Sequence, residues 1–440
     1  MKVVLSQVQA SPLIVAQTPD SGLQTGCGLR PYPSQIGSSW SEMEVRTQVA
    51  SAVKERSNPQ KINKDVACLG FLVFVIVTSE FAVVGLMPEI ANEIEADLSR
   101  VGWLATVFAI GAALIGAPVT MLTSRFQPKH FLIVSSLAFA LANLLLSLVD
   151  QLITMVIVRF LQGCILPSMV SMATMEAIQM AKNRSEGWAI SRVSAGVAIT
   201  SVIGLPGSVM VAEIFGWRVS FFVLAVLGIL SALFVARIDS RESVLVYRVE
   251  RNSALNDYDL PSIVKPMLLS LILFTGMFCS YTYITVTLQQ VAQLSAKLTA
   301  LVLVGFGVAG VVGNLVSGRI SVGSSLKATM ALVIGFAVVF FSFEKMLSSS
   351  FTLGLSIVVW GAMHGASFVI CQLRAIAIPG LNRAFALSLN ISVCNLGIAA
   401  GGWAGGVVID YLGVSSLGYI SAGIMILAFV GACYLQRLHE

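Results

Sequence analysis

Charge is scarce in this 440-residue chain: only 11% of residues are Asp, Glu, Lys or Arg, whereas 56% are hydrophobic and the mean hydropathy is +0.87. A water-soluble chain of this length would fold into two or three domains with charged surfaces, so the balance excludes water as the main solvent. Nucleotide-binding and hydrolytic motifs are missing too. There is no GxxxxGK[ST] to cradle ATP phosphates, and no HExxH or GxSxG. Seven cysteines run from Cys27 to Cys433 without CxxC spacing, most of them inside apolar runs. They read as small buried hydrophobes, and no cofactor or metal site is expected. The net charge of +5 does not point to nucleic acid, because Lys and Arg fall between apolar runs and form no long basic face.

What is abundant is long apolar sequence. Several runs exceed the roughly 18 residues at which a transmembrane helix becomes the default reading. The segments at 66–87, 101–122, 131–149, 152–175, 188–211 and 219–236 form one set of six, and those at 266–288, 299–318, 329–343, 351–373, 384–409 and 418–436 form a second. Each set spans about 170 residues, and such equal halves suggest the internal repeat common among secondary transporters. The expected fold is all-α, with twelve transmembrane helices in two pseudo-symmetric six-helix bundles at 66–236 and 266–436. A charged linker at 237–265 joins them.

Residues 1–65 differ in composition, with Ser, Gln, Pro and Gly gathered around Pro31, Pro33 and Ser34, and read as a mostly disordered tail. Val3 to Leu5 is too short for the apolar region of a signal peptide. Trp40 to Val53 has the spacing of one short amphipathic surface helix. Arg125, Lys129, Lys182, Arg184, Arg237, Arg241, Arg248, Arg251, Lys265, Arg319, Lys327 and Arg383 all fall in loops on one side of the predicted spans. By the positive-inside rule that side is cytoplasmic, as are both termini. The expected location is the bacterial cytoplasmic (inner) membrane.

Ionisable groups within the apolar segments are the most informative residues, because a charge at a helix centre costs about 2.5–3.5 kcal/mol even on lenient insertion scales. Glu80 in the first segment and Arg159 in the fourth both lie roughly 10 Å below the outer surface at 1.5 Å per residue. Two readings follow if the two helices share a cavity. In one, Glu80 loads and releases a proton as water enters and leaves; in the other, the pair is a fixed ionic lock between the helices. His364, mid-way along the tenth segment, is either a titrating group or a packed neutral histidine. Tyr281 and Tyr283 in the seventh could line a cavity or simply pack.

Glycine and proline interrupt the fifth and eleventh segments at equivalent places: Gly196, Gly204, Pro206 and Gly207 in one, Gly397, Gly401, Gly402, Gly405 and Gly406 in the other. Small residues allow close backbone approach, for packing alone or for helices that rock during alternating access.

These residues resemble the major facilitator superfamily, and within it the twelve-helix drug:proton antiporter branch that includes arabinose-efflux-permease-like and sugar or nucleoside exporters. The resemblance covers about residues 66–436. Thr78-Ser79-Glu80-Phe81 with Gly85-Leu86-Met87-Pro88-Glu89-Ile90-Ala91 is similar to the TEF…GLLPxIA run of this branch. Arg159-Phe160-Leu161-Gln162-Gly163 looks like its RxxqG motif, to which the family assigns a role in proton transfer. Gly196 followed by Gly204-Leu205-Pro206-Gly207 is close to the antiporter glycine-proline motif. Phe306-Gly307-Val308-Ala309-Gly310, Gly313-Asn314 and Asn395-Leu396-Gly397 stand where the branch places them.

Departures are visible in the gate motif GxLaDRxGRK. Its loop reads Leu122-Thr123-Ser124-Arg125-Phe126-Gln127-Pro128-Lys129, with Ser124 where Asp is usual, and the equivalent Gly318-Arg319 also lacks Asp. Pro167 follows Gly163 closely and is expected to kink the fourth helix.

The resemblance implies a central cavity lined by helices 1, 4, 7 and 10, with export of a small organic solute against proton entry. Proton coupling is expected at Glu80 and Arg159. Gln162, Tyr281, Tyr283, His364 and Asn395 are expected in the substrate cavity, and Arg125, Lys129, Gly196, Gly204, Pro206, Gly207 and Arg319 in conformational motifs. The expected partners are the solute, protons and the lipid bilayer, with the chain monomeric. Uptake or facilitated diffusion is the alternative within the class, and a ligand-sensing membrane receptor the alternative outside it.

Overall fold

In lipid every backbone N–H and C=O must be paired within the protein, and a helix achieves this inside one segment. The computed structural model describes residues 59–96, 98–123, 126–181, 184–238, 260–346 and 349–439, and among these nearly all are helical and none is in a strand. The expected tail up to residue 58 with its surface helix, linker residues 239–259, Ser124, Arg125 and Lys182 lie outside the described residues.

Among the described residues eleven helices are long and apolar enough to cross a membrane, and a bent pair, taken as one span, makes twelve. They are α1 (Pro59–Glu93), α2 (Arg100–Leu114 with Gly116–Thr123, bent by 50°), α3 (Pro128–Leu148), α4 (Leu152–Met180), α5 (Glu186–Phe215) and α6 (Trp217–Ala236). The second six are α7 (Leu260–Gln290), α8 (Lys297–Ser317), α9 (Val322–Phe343), α10 (Ser350–Ile376), α11 (Arg383–Leu412) and α12 (Val414–Arg437). Each falls on an apolar segment of the sequence, but most run further. α1 starts at Pro59 and α7 at Leu260, so the ends of the expected tail and linker are helical. Proline suits such first turns, where its missing N–H would be unpaired anyway.

The outside differs from that of a soluble protein in being apolar, while the inside is mostly apolar with polar residues among it. Leu148, Ile153, Leu301, Val338 and Phe351 are exposed, whereas Ser79, Asn143, Arg159, Gln162, Asn314 and Ser388 are buried. Apolar side chains face the lipid, and most of these buried polar ones are hydrogen-bonded inside, although the Asn314 amide has no partner among the described residues.

The packing repeats. α1 packs on α5 and α6, α3 on α6, and α2 on α4; six helices later α7 packs on α11 and α12, α9 on α12, and α8 on α10. The halves meet where α5 touches α8 and α10, and where α11 touches α2 and α4. Among the described residues no comparable seam joins α1 to α7.

Bends have local causes. Pro206 has no N–H to give the carbonyl of Val202, and the turn Thr200–Gly204 just before it widens into a π-helix. Pro167 lies inside a continuous α4; its ring packs against Gly116, beside the point where α2 bends.

Candidate functional site

Between the halves lies a small cavity of about 60 Å³. Glu80 and Phe81 of α1, Leu166 of α4, Gln372 of α10, and Asn390 and Asn395 of α11 form part of its wall. An apolar cluster from both halves, including Met175, Ile190, Leu373 and Leu387, lies on one side of it. Met175 follows Val170 along α4, Ile190 precedes Val197 on α5, and Leu387 precedes Asn390 on α11, where Val170, Val197 and Asn390 line the cavity. The plug therefore stands between the cavity and the end carrying the basic loops.

That basic end is tied across the halves by polar contacts. Arg383 at the start of α11 bonds Glu186 at the start of α5 at 2.5 Å, and the Ser185 hydroxyl donates to the carbonyl of Gly318 at 3.2 Å. Gly187 and Gly318 approach so closely that a Cβ on Gly187 would meet the Gly318 carbonyl oxygen at 2.7 Å. Nearer the cavity, Gln372 donates to Ser194 at 2.9 Å and Thr120 to Ser388 at 2.6 Å.

Arg159 is fully buried, and four of its five N–H groups bond to groups other than the Glu80 carboxylate. Nη1 donates to the Ser79 carbonyl (3.0 Å) and to Gln162 Oε1 (3.2 Å), Nη2 to the Glu80 carbonyl (2.9 Å), and Nε to the Leu104 carbonyl (3.3 Å). The guanidinium also lies over the Phe108 ring, 4.3 Å from its centroid. A helix carbonyl keeps a lone pair beyond its intrahelical bond, and the planar Arg fork reaches three of them at once. Gln162 in turn donates to Asn143, which also accepts from Ser79. Arg159 thus pins α4 to α1 and α2, and Glu80 faces the cavity with no ion-pair partner among the described residues.

The remaining expected residues divide. Asn395 lines the cavity. Gln162 instead sits in the Arg159 network, buried inside the first half. Tyr281 and His364 pack on each other with ring centroids 4.5 Å apart, inside a set of rings that includes Phe278, Phe306 and Phe368. The Nδ1 of His364 has no hydrogen-bond partner among the described residues. Tyr283 donates its hydroxyl to the Gly402 carbonyl at 2.9 Å, fixing α7 to α11.

Among the motif residues, Gly196 abuts the α1 backbone at Gly70 and Phe74, and Gly204 abuts Thr78. Gly401 and Gly405 abut the α7 backbone in the same way. Gly207 has open space around it. Lys129 donates to the Ile238 carbonyl at 2.5 Å, joining the start of α3 to the end of α6, and Arg319 is exposed while its neighbour Gly318 meets α5.

Sequence reading missed three features. Gln372 bridges to α5; Glu186 and Arg383 form the ion pair; and Arg374, buried in α10, bonds Thr329 and Ser270. Their only sequence signal is polarity near the ends of apolar runs. Among the described residues no group of His, Cys, Asp and Glu is placed to hold a metal.

A family model described as "Major Facilitator Superfamily" matches residues 69–379, well over half of the chain. The chain belongs to this superfamily. The inner membrane transport protein YdhP of Escherichia coli (strain K12) is 28% identical over 383 residues, covering 84% of this chain and 97% of YdhP. The human organic anion transporter MFSD10 (TETRAN) superposes with a TM-score of 0.63 at 14% identity, covering 86% of this chain and all of that one. The proton:xylose symporter XylE bound to 6-bromo-6-deoxy-D-glucose gives 0.62 at 13% identity, covering 86% of this chain and 95% of that one. At these identities the two likenesses show the fold alone; the family match, with a relative named as an inner membrane transport protein, gives a role in membrane transport.

Proposed function

We propose that this chain is a secondary active transporter that exports a small organic solute, of drug, sugar or nucleoside type, in exchange for protons by alternating access. The observation that carries the reading is Glu80: a carboxylate on the wall of a cavity between two halves, with its backbone anchored by Arg159 and its side chain left available. Glu80 is the proton carrier and Arg159 its positioning residue. Gln372, Asn390 and Asn395 offer hydrogen bonds to a polar solute, and Phe81, Phe274 and Phe368 offer apolar walls.

The two moving bodies are the six-helix units at 66–236 and 266–436, and the closed basic end is one of the two states they exchange. The chain works as a monomer with both termini in the cytoplasm, and it lies in the bacterial inner membrane, a location that the name of YdhP supports. It performs no covalent chemistry, in keeping with relatives that are named as transport proteins. Acidifying the outer face of proteoliposomes tests the direction: export predicts that solute moves outward, against its gradient. Inward movement would establish uptake, and movement indifferent to the pH gradient would establish a facilitator.

A further inference from the structure

A second cavity lies at the basic end of the second half, apart from the one between the halves. It holds about 670 Å³, is open to the outside, and is lined by the first turns of α7 and α9 and the last residues of α10 and α12. Lys265, Lys327 and Arg374 line it, and no Asp or Glu among the described residues does.

Arg374 sets the chemistry. It is only 5% exposed, and each of its partners is neutral: Nη1 donates to Thr329 Oγ1 at 2.6 Å, and Nη2 to Ser270 Oγ at 2.6 Å and to Cys371 Sγ at 3.5 Å. A buried guanidinium is normally matched by an anion, because hydroxyls satisfy its N–H groups without cancelling its charge. Lys265 has a ring beneath it, with Nζ 5.5 Å from the Tyr434 centroid, and Lys327 is exposed with no ion-pair partner among the described residues. The start of α9 adds the positive end of its dipole to the same field, since Gly323 and Ser325 stand on the cavity wall. Three cations and a helix start, with no opposing carboxylate among the described residues, suit a compact, multiply acceptor-bearing anion.

We propose that this cavity binds a phosphate group through Arg374, Lys327 and Lys265. Two carriers fit that chemistry: the headgroup of an anionic phospholipid, which basic pockets between helices at this level recognise, and soluble phosphate. Binding there would be two hydrogen bonds from the transport cavity, because Ser270, which accepts from Arg374, donates at 2.7 Å to Asn390 on the cavity wall. The proposal does not depend on the direction or coupling of transport.

The test uses the purified full chain, with thermal unfolding as the readout. In phosphate-free detergent, inorganic phosphate is titrated against chloride at matched ionic strength; in nanodiscs, phosphatidylcholine is compared with phosphatidylcholine containing phosphatidylglycerol. Wild type should show a saturable rise in Tm in at least one arm, and the arm that responds names the carrier. The double substitution Lys265→Gln, Lys327→Gln removes two cations on the cavity wall and leaves buried Arg374 and its hydrogen bonds in place. It should weaken apparent affinity by about tenfold or more. No response of wild type in either arm would overturn the proposal, as would an equal response in the double variant.

Discussion

Arg159 holds Glu80 by its main chain: Nη2 donates to the Glu80 carbonyl oxygen at 2.9 Å, and among the described residues no ion pair joins the guanidinium to the carboxylate. The two residues therefore do separate work. Arg159 fixes the helix from which Glu80 projects, and the carboxylate is left on the cavity wall. A fixed ionic lock would have consumed it.

Stability should separate the two roles. Arg159→Lys keeps the charge but loses the fork that reaches carbonyls of Ser79, Glu80 and Leu104, so a loss of several kcal/mol is expected, given about 1.5–3 kcal/mol per charge-assisted bond. Glu80→Gln breaks no hydrogen bond or ion-pair contact among the described residues and should change the unfolding midpoint in detergent far less than Arg159→Lys does. Equal destabilisation by both would mean that the carboxylate is structural.

Seam glycines give a matched pair. A Cβ on Gly196 collides with the α1 backbone, and one on Gly207 meets nothing within 4 Å. Gly196→Ala should cost about 1–3 kcal/mol through overpacking, whereas Gly207→Ala should be near neutral or slightly favourable. Thermal unfolding of the two variants checks this; indistinguishable midpoints would remove the case for a tight α1–α5 seam.

Closure at the basic end should respond weakly to its ion pair. Arg383 and Glu186 are partly exposed, with side-chain exposures of 38% and 28%, so the pair contributes about 0.2–1 kcal/mol and its loss shifts the open population by about fivefold at most. Labelling from the basic side, in a cysteine-free background carrying Asn395→Cys, should accelerate within that range when Glu186→Gln is added. An acceleration of hundreds-fold would make the pair, rather than the apolar plug and the Gly187–Gly318 contact, the principal seal.

The sequence made the spans legible because twenty apolar residues in a row have one plausible home. It also showed the repeat, since equivalent helices carry equivalent interruptions such as Gly204-Leu205-Pro206-Gly207 in α5 and the glycines of α11. It could not show what Arg159 touches, because its partners are mostly backbone carbonyls, and every residue type has one. Tyr281 and His364 were ambiguous for a different reason: aromatic and imidazole rings fit a cavity wall and a packed interior equally well, and here they pack on each other. Arg374 escaped notice because the apolar run of α10 ends beside it, which makes it read as a loop residue although helix and burial extend through it. The π turn at Thr200–Gly204 is a backbone response to Pro206, visible in the sequence only as a proline inside a helix.

Solute-driven proton movement in proteoliposomes tests the central claim most directly, with wild type compared to Glu80→Gln across a panel of candidate solutes. The account predicts that at least one solute moves protons in wild type and that this coupling disappears in Glu80→Gln while the variant remains folded. Coupling that survives in Glu80→Gln would contradict the assignment of Glu80 as the proton carrier, and solute movement without protons in wild type would contradict antiport itself.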